Sequence, residues 1–131
     1  MHHPHVVQGV DVVDQRYAFY SLGNFCFGGN PVIEAKQKNK EYRALESMVV
    51  QMDLVFGDDG AYLGQEGRIY PCYVSSSATR VGDPNDYQPK FVTGEQAQGV
   101  IDRIQYDTAF TLAAMDEESG CLTLPFLPAE K

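Results

Sequence analysis

The sequence predicts an α+β fold made mostly of antiparallel β-hairpins, with one amphipathic helix towards the C-terminal end. Three observations carry that prediction. Val6, Val7, Val10, Val12 and Val13 form a β-branched run, and Tyr17-Ala18-Phe19-Tyr20 follows after a short polar break. Residues 47–56 alternate, with Met48, Val50, Met52, Leu54 and Phe56 interleaved with Val49, Gln51, Asp53 and Val55. Ala97, Val100, Ile101 and Ile104 recur at helical spacing behind Thr93. Period-two alternation and β-branched or aromatic runs favour strands, whereas i, i+3, i+4 spacing favours an amphipathic helix.

The first hairpin takes residues 6–13 as one arm, Asp14-Gln15-Arg16 as the turn and residues 17–20 as the return. Gly9 is the glycine inside the first arm, and it suits a bulge or a close approach of another backbone. Ser21 to Pro31 reads as a loop, because Gly23, Gly28, Gly29 and Asn30 supply unusual backbone angles. The polar, Lys-rich residues 34–46 form either a short helix or a loop. Residues 47–56 are the clearest strand, with an apolar face made of the even-numbered side chains. Gly57-Asp58-Asp59-Gly60 then turns the chain, and residues 61–75 return as one or two strands. Pro71 in that return implies an edge or a bulge.

Residues 75–89 are a long loop rich in Ser, Asp, Asn, Gly and Pro. Thr93 and Gln96 have the spacing of a capping box, which starts a helix over 94–106. Its narrow apolar stripe suits a helix lying on a sheet. Residues 109–114 and 121–126 flank Asp116-Glu117-Glu118-Ser119-Gly120 as a third hairpin, unless the first arm extends the helix. No repeat or linker divides the chain, so residues 1–131 are read as a single unit.

With 131 residues, of which 44% are hydrophobic, the chain can bury a real core. Its formal net charge of −8 argues against nucleic acid, whose phosphates call for clustered Lys and Arg. The same charge disfavours adsorption to an anionic membrane. Cys26, Cys72 and Cys121 are widely spaced and form no CxxC pair, which disfavours a disulfide framework or a zinc knuckle. Small buried hydrophobes describe them better, with one disulfide plus a free thiol as the alternative. No charged-then-apolar leader stands at the N-terminus, and no stretch nears the ~18 apolar residues of a spanning helix.

All three histidines lie in the first five residues, as His2, His3 and His5. Imidazole nitrogens bind zinc, iron and manganese-type ions. In extended backbone His3 and His5 point to one face, and Pro4 biases His3 toward that geometry. Read from spacing alone, the cluster is either one wall of a metal site or a frayed terminus carrying solvated histidines. Asn24 is either a ligand or phosphate contact, or the cap of a tight turn after Gly23. Further ligands would have to come from Asp11, Asp14, Asn24 or from elsewhere. Ser21 lacks the Gly-x-Ser-x-Gly frame of a nucleophile elbow, and no P-loop is present. No residue is assigned a catalytic acid, base or nucleophile role.

The segment HHPHVVQGVDVVDQRYAFYSLGNFCFGG resembles the signature of the CapA-like family, the poly-γ-glutamate capsule-synthesis proteins. In that family a Gly-x-His-Pro-His-Val-x-Gln segment leads into a strand pair and then Tyr-Ser-Leu-Gly-Asn-Phe. Looser likeness extends to Ile69-Tyr70-Pro71-Cys72, to Asn85-Asp86-Tyr87-Gln88-Pro89 and to Thr93-Gly94-Glu95. CapA-like domains are similar to calcineurin-like metallophosphatases, which implies a fragment of a layered β-sandwich flanked by helices. The resemblance implies metal ligation by His3 and His5, with His2 as an alternate ligand, and maps the family's Leu-Gly-Asn-Phe asparagine onto Asn24, which is taken as a substrate-binding residue. It implies divalent metal ions, Mn, Zn or Fe, two of them in the full-length parent.

Met1 stands where the family has glycine, and the family's Asp-x-His opening and Asn-His ligand segments have no counterpart in the sequence. The expectation is therefore the C-terminal part of a CapA-like domain, inactive by itself, from a parent that hydrolyses phosphoesters in capsule synthesis. The alternative is a non-enzymatic capsule-assembly or binding module with a vestigial metal site. By resemblance the parent is extracytoplasmic or membrane-anchored, through segments outside this sequence. A partial layered domain exposes apolar surface, so the expected partner is a second copy, joined through strand edges or sheet faces.

Overall fold

A computed structural model describes residues 4–25, 44–74, 86 and 88–130. Within them the element order is β1 (Val10–Val13), β2 (Arg16–Phe19), β3 (Glu46–Phe56), β4 (Tyr62–Tyr73), β5 (Lys90–Phe91), α1 (Gly94–Tyr106) and β6 (Leu122–Pro128). β1 and β2 form a separate antiparallel ribbon. β3, β4, β5 and β6 form a four-stranded antiparallel sheet in which β4 pairs β3 on one side and both β5 and β6 on the other. The α+β class and the predominance of antiparallel β-structure agree with the sequence reading. No helix among the described residues is long and apolar enough to cross a membrane.

The first hairpin is shorter than its apolar run predicts. It turns through Asp14 and Gln15, both at positive φ (48° and 56°), the pairing of angles that matches the right-handed twist of two strands. Val7 contributes only an isolated bridge to Leu22. Between them Gly9 packs against the end of α1: a Cβ there would lie 2.1 Å from the Asp107 carbonyl oxygen. Thr108 fastens the same junction, since its Oγ1 accepts from the Val10 amide at 3.0 Å and donates to the Ile104 carbonyl at 2.7 Å. The Tyr17 hydroxyl donates to the Pro125 carbonyl at 2.6 Å and ties β2 to β6.

β4 is one continuous strand of 12 residues. Pro71 lies inside it, which corrects the expectation of an edge or a bulge. β6 pairs with residues 64–69 of β4 and β5 with residues 72–73, so Pro71 falls where one neighbour ends and the next begins. Its carbonyl accepts from the Val92 amide on that same side, and the donor it lacks is one this short gap does not require.

The helix spans 94–106 as its spacing predicts. Thr93 has the extended N-cap backbone, but its side chain makes no capping hydrogen bond. The third hairpin closes only as a single antiparallel bridge between Asp116 and Cys121, with the Asp116 amide donating to the Cys121 carbonyl at 2.9 Å. β6 pairs with β4, and residues 109–115 are neither strand nor helix. The Gln105 side chain explains this: its Nε2 donates to the Thr108 and Phe110 carbonyls and its Oε1 accepts from the Leu112 amide. One amide group thus takes up backbone bonding that a strand partner would supply.

The core lies between one face of the sheet and a layer made of α1 and the first ribbon. Ala97, Val100, Ile101 and Ile104 meet Met48, Ile69, Leu122 and Leu124, with Val7 and Val10 alongside. Cys72 and Cys121 are buried free thiols, joined in no disulfide. Cys26, most of residues 34–46 and nearly all of the 75–89 loop lie outside the described residues.

Candidate functional site

The ribbon of β1 and β2 loses regular pairing as it approaches the N-terminus, yet stays bonded. The Gln8 amide donates to the Ser21 carbonyl at 3.0 Å, and Val7 bridges Leu22. Leu22 and Gly23 then turn away to join the outer edge of β3. Gly23 bridges Ser47, while the Leu22 carbonyl accepts both from the Met48 amide (3.0 Å) and from the Ser47 hydroxyl (3.1 Å). Gly23 is required here: its φ is +77°, and a Cβ would lie 2.7 Å from the Glu46 carbonyl oxygen. This seam carries the loop holding Asn24 up to the segment holding His5.

Asn24 is buried and its amide is used at both ends. Nδ2 donates to the His5 carbonyl at 3.1 Å and to the Ala44 carbonyl at 2.8 Å. Two carbonyls can be served only by an NH2 group, so Oδ1 faces the His5 ring, 2.7 Å from Nδ1. An amide oxygen only accepts, so in the neutral imidazole Nδ1 carries the proton and Nε2 carries the lone pair. The side chain of Asn24 thus sets both the position and the tautomer of His5. The backbone at His5 is also unusual, with φ at +57°. A side-chain-bearing residue held in that region is strained, and such strain gathers at functional positions.

That angle departs from the extended backbone expected at His5. The case for His3 and His5 sharing a face assumed extended backbone, whereas Pro4 lies in a turn and His5 is left-handed because Asn24 holds both its carbonyl and its ring. His2 and His3 lie outside the described residues. Among the described residues no group of three or more His, Cys, Asp or Glu side chains comes together as a metal site. Asp11 and Asp14, offered as extra ligands, are elsewhere: Asp11 accepts from its neighbour Val12 and from the Tyr20 hydroxyl, and Asp14 is in the hairpin turn.

Beside the pair lies a cavity of about 500 Å³ lined by His5, Asn24, Phe25, Met48, Val49 and Val50 with their neighbours. Its walls are mainly apolar, and the amide of Asn24 and the hydroxyl of Ser47 are turned into the chain's own hydrogen bonds. Residues the sequence did not single out help to hold Asn24 and Gly23, Ala44 by its carbonyl and Glu46 by its backbone. Ala44 and Glu46 fall in the stretch read as polar helix or loop, yet both are buried, Glu46 to 1% exposure at the head of β3. The signal that could have found them is the apolar run starting at Ala44-Leu45, which puts the strand's entry inside the fold.

The family model of the bacterial capsule synthesis protein PGA_cap matches residues 1–29. The match takes in the histidines, the first ribbon and the loop that carries Asn24, the parts joined by the hydrogen bonds just described. It supports an association with capsule synthesis over that stretch. No curated protein and no solved structure matches the chain.

Proposed function

We propose that residues 1–25 form one wall of a divalent-metal centre in a capsule-synthesis protein of the CapA-like type, and that the complete centre cleaves phosphoesters. The observation that carries this is the Asn24–His5 pair, joined at 2.7 Å across 19 residues of sequence. A histidine whose Nδ1 proton is engaged by an oxygen acceptor carries its lone pair on Nε2, the tautomer of a metal-ligating imidazole with its supporting group. The donor chemistry therefore fits one ligand position. His5 would hold the ion, with His3 and His2 as further candidates. Asn24 would be a positioning residue, with its substrate-contact role secondary to that. A bound ion would polarise a phosphoryl oxygen and lower the pKa of coordinated water.

A phosphoesterase centre needs more ligands than this wall supplies, so in this reading the rest come from outside the described residues. In this reading the chain is the C-terminal portion of a calcineurin-like layered domain and does not turn over substrate alone. The test is a zinc or manganese titration followed by thermal unfolding. A preformed ligand set raises the melting temperature through linkage. His5→Ala removes the rise, and Asn24→Ala weakens metal affinity by roughly 10–100-fold. A melting temperature indifferent to both metals defeats the reading and leaves the non-enzymatic assembly module. Metal-dependent hydrolysis of an aryl phosphate by this chain, lost in His5→Ala, would overturn the statement that it is inactive alone.

A further inference from the structure

We infer that the outer edge of β3 is a self-recognition surface, on which a second copy pairs its own β3 antiparallel about a two-fold axis through Met52. This is independent of the metal reading. Among the described residues, β3 is paired along its length only by β4, and its outer side is taken only near Ser47 and Met48, by Leu22 and Gly23. The Met48 amide points outward to Leu22. Backbone groups alternate sides along a strand, so Val50, Met52 and Leu54 also direct their amides and carbonyls outward. Between Val49 and Val55 the edge carries no Lys, Arg or Pro, and its one charged side chain is Asp53. The flanking side chains Leu54 and Phe56 are 57% and 56% exposed.

What selects a second copy is that this edge complements itself in one register. With Met52 opposite its own counterpart, Val50 faces Leu54 and Val49 faces Val55, so apolar side chains meet apolar ones on both faces. Gln51 then stands opposite Asp53 of the second copy, twice by symmetry. Gln51 and Asp53 are chemically suited to that contact, since within one chain the Gln51 amide already donates to the Asp53 carboxylate at 3.3 Å. Met52 pairs across as an outward-pointing residue, so each copy donates its Met52 amide to the other's Met52 carbonyl. Shifting the register by one residue sets Asp53 opposite a hydrophobic residue and breaks the match. The pairing ends with Val49 opposite Val55, because Leu22 already holds the outer side of Met48.

The experiment is sedimentation equilibrium of the full chain over a wide concentration range, with three variants. The expected result for the wild type is a monomer–dimer equilibrium. Gln51→Asp places two carboxylates opposite each other twice and weakens the dimer by about tenfold, whereas Gln51→Lys creates two ion pairs and tightens it severalfold. Met52→Pro deletes an outward donor that the β4 ladder does not use, and leaves a monomer. The charge variants also separate pairing from folding. Arg68 lies opposite Gln51 and is ion-paired with Asp53 within the chain, so unfolding of each variant as a monomer reads its effect on the fold apart from its effect on the dimer. A chain that is monomeric at every concentration overturns the inference. So does a dimer whose dissociation constant moves in the same direction, or not at all, in the two charge variants.

Discussion

The two ends of the β3–β4 ribbon have the same alternating sequence and opposite surroundings. At one end Glu46, Ser47 and Met48 are buried against Cys72 and Tyr73; at the other Leu54 and Phe56 are more than half exposed. The difference comes from lengths. A helix of 13 residues covers about 20 Å, while a strand of 11 residues runs about 36 Å. α1 and the first ribbon therefore cover one end of the sheet and leave the other uncovered. The covered end is also where Leu22 and Gly23 dock and where Asn24 holds His5. The candidate site is thus placed on the well-packed end and the open edge on the other.

The comparison breaks most readily at the covered end. Ile69→Ala removes a side chain that is fully buried in the core, and it should cost about 2–5 kcal/mol in urea unfolding. A loss under 1 kcal/mol would mean that the packing described for this end is loose.

A pH measurement sharpens the same point with a smaller effect. Burial pushes the Cys72 thiol from its ordinary 9.0 up to about 11, against a smaller lowering by a hydrogen bond from the Val49 backbone. The neutral thiol is the form the fold favours, so its contribution is fully present below pH 9. Above that the unfolded chain ionises first and binds fewer protons, and stability falls as the pH rises towards 11. Tyr17 is raised by burial too and acts with the same sign, so the contribution of Cys72 is the part of the alkaline decline that Cys72→Ala abolishes. A decline equally steep in that variant would show that the thiol is not held in its neutral form.

The smallest effect belongs to the open end. Leu63→Ala, at a side chain 48% exposed, should change unfolding free energy by no more than about 0.5 kcal/mol. A loss comparable to that of Ile69→Ala would erase the contrast between the ends.

Local chemistry made much of this legible. The alternation through Met48 and Val50 places β3, the spacing of Ala97 to Ile104 places α1, and Gly9 marks a close approach that Asp107 fills. What alternation does not encode is where the covering layer stops, so Leu54 and Phe56 read like Met48 although only Met48 is buried. The third hairpin is reduced to a single bridge for a related reason. Gln105 reaches back onto residues 108–112, and that grip depends on where the helix ends in three dimensions. Of the proposed site residues, His5 and Asn24 do meet. Their contact spans 19 positions with no local pattern to announce it, and it arises only because Gly23 lets the loop press against β3.

Pro71 has a consequence beyond its own position. By withholding one amide it ends the β6 pairing and opens the β5 pairing on the same margin of β4, so that margin is shared between two separate pieces of chain. Those pieces are joined through α1, and β5 is only two residues long before the helix begins at Gly94. A single imino acid in the central strand thereby determines where the chain must leave the sheet and rise into the layer above it.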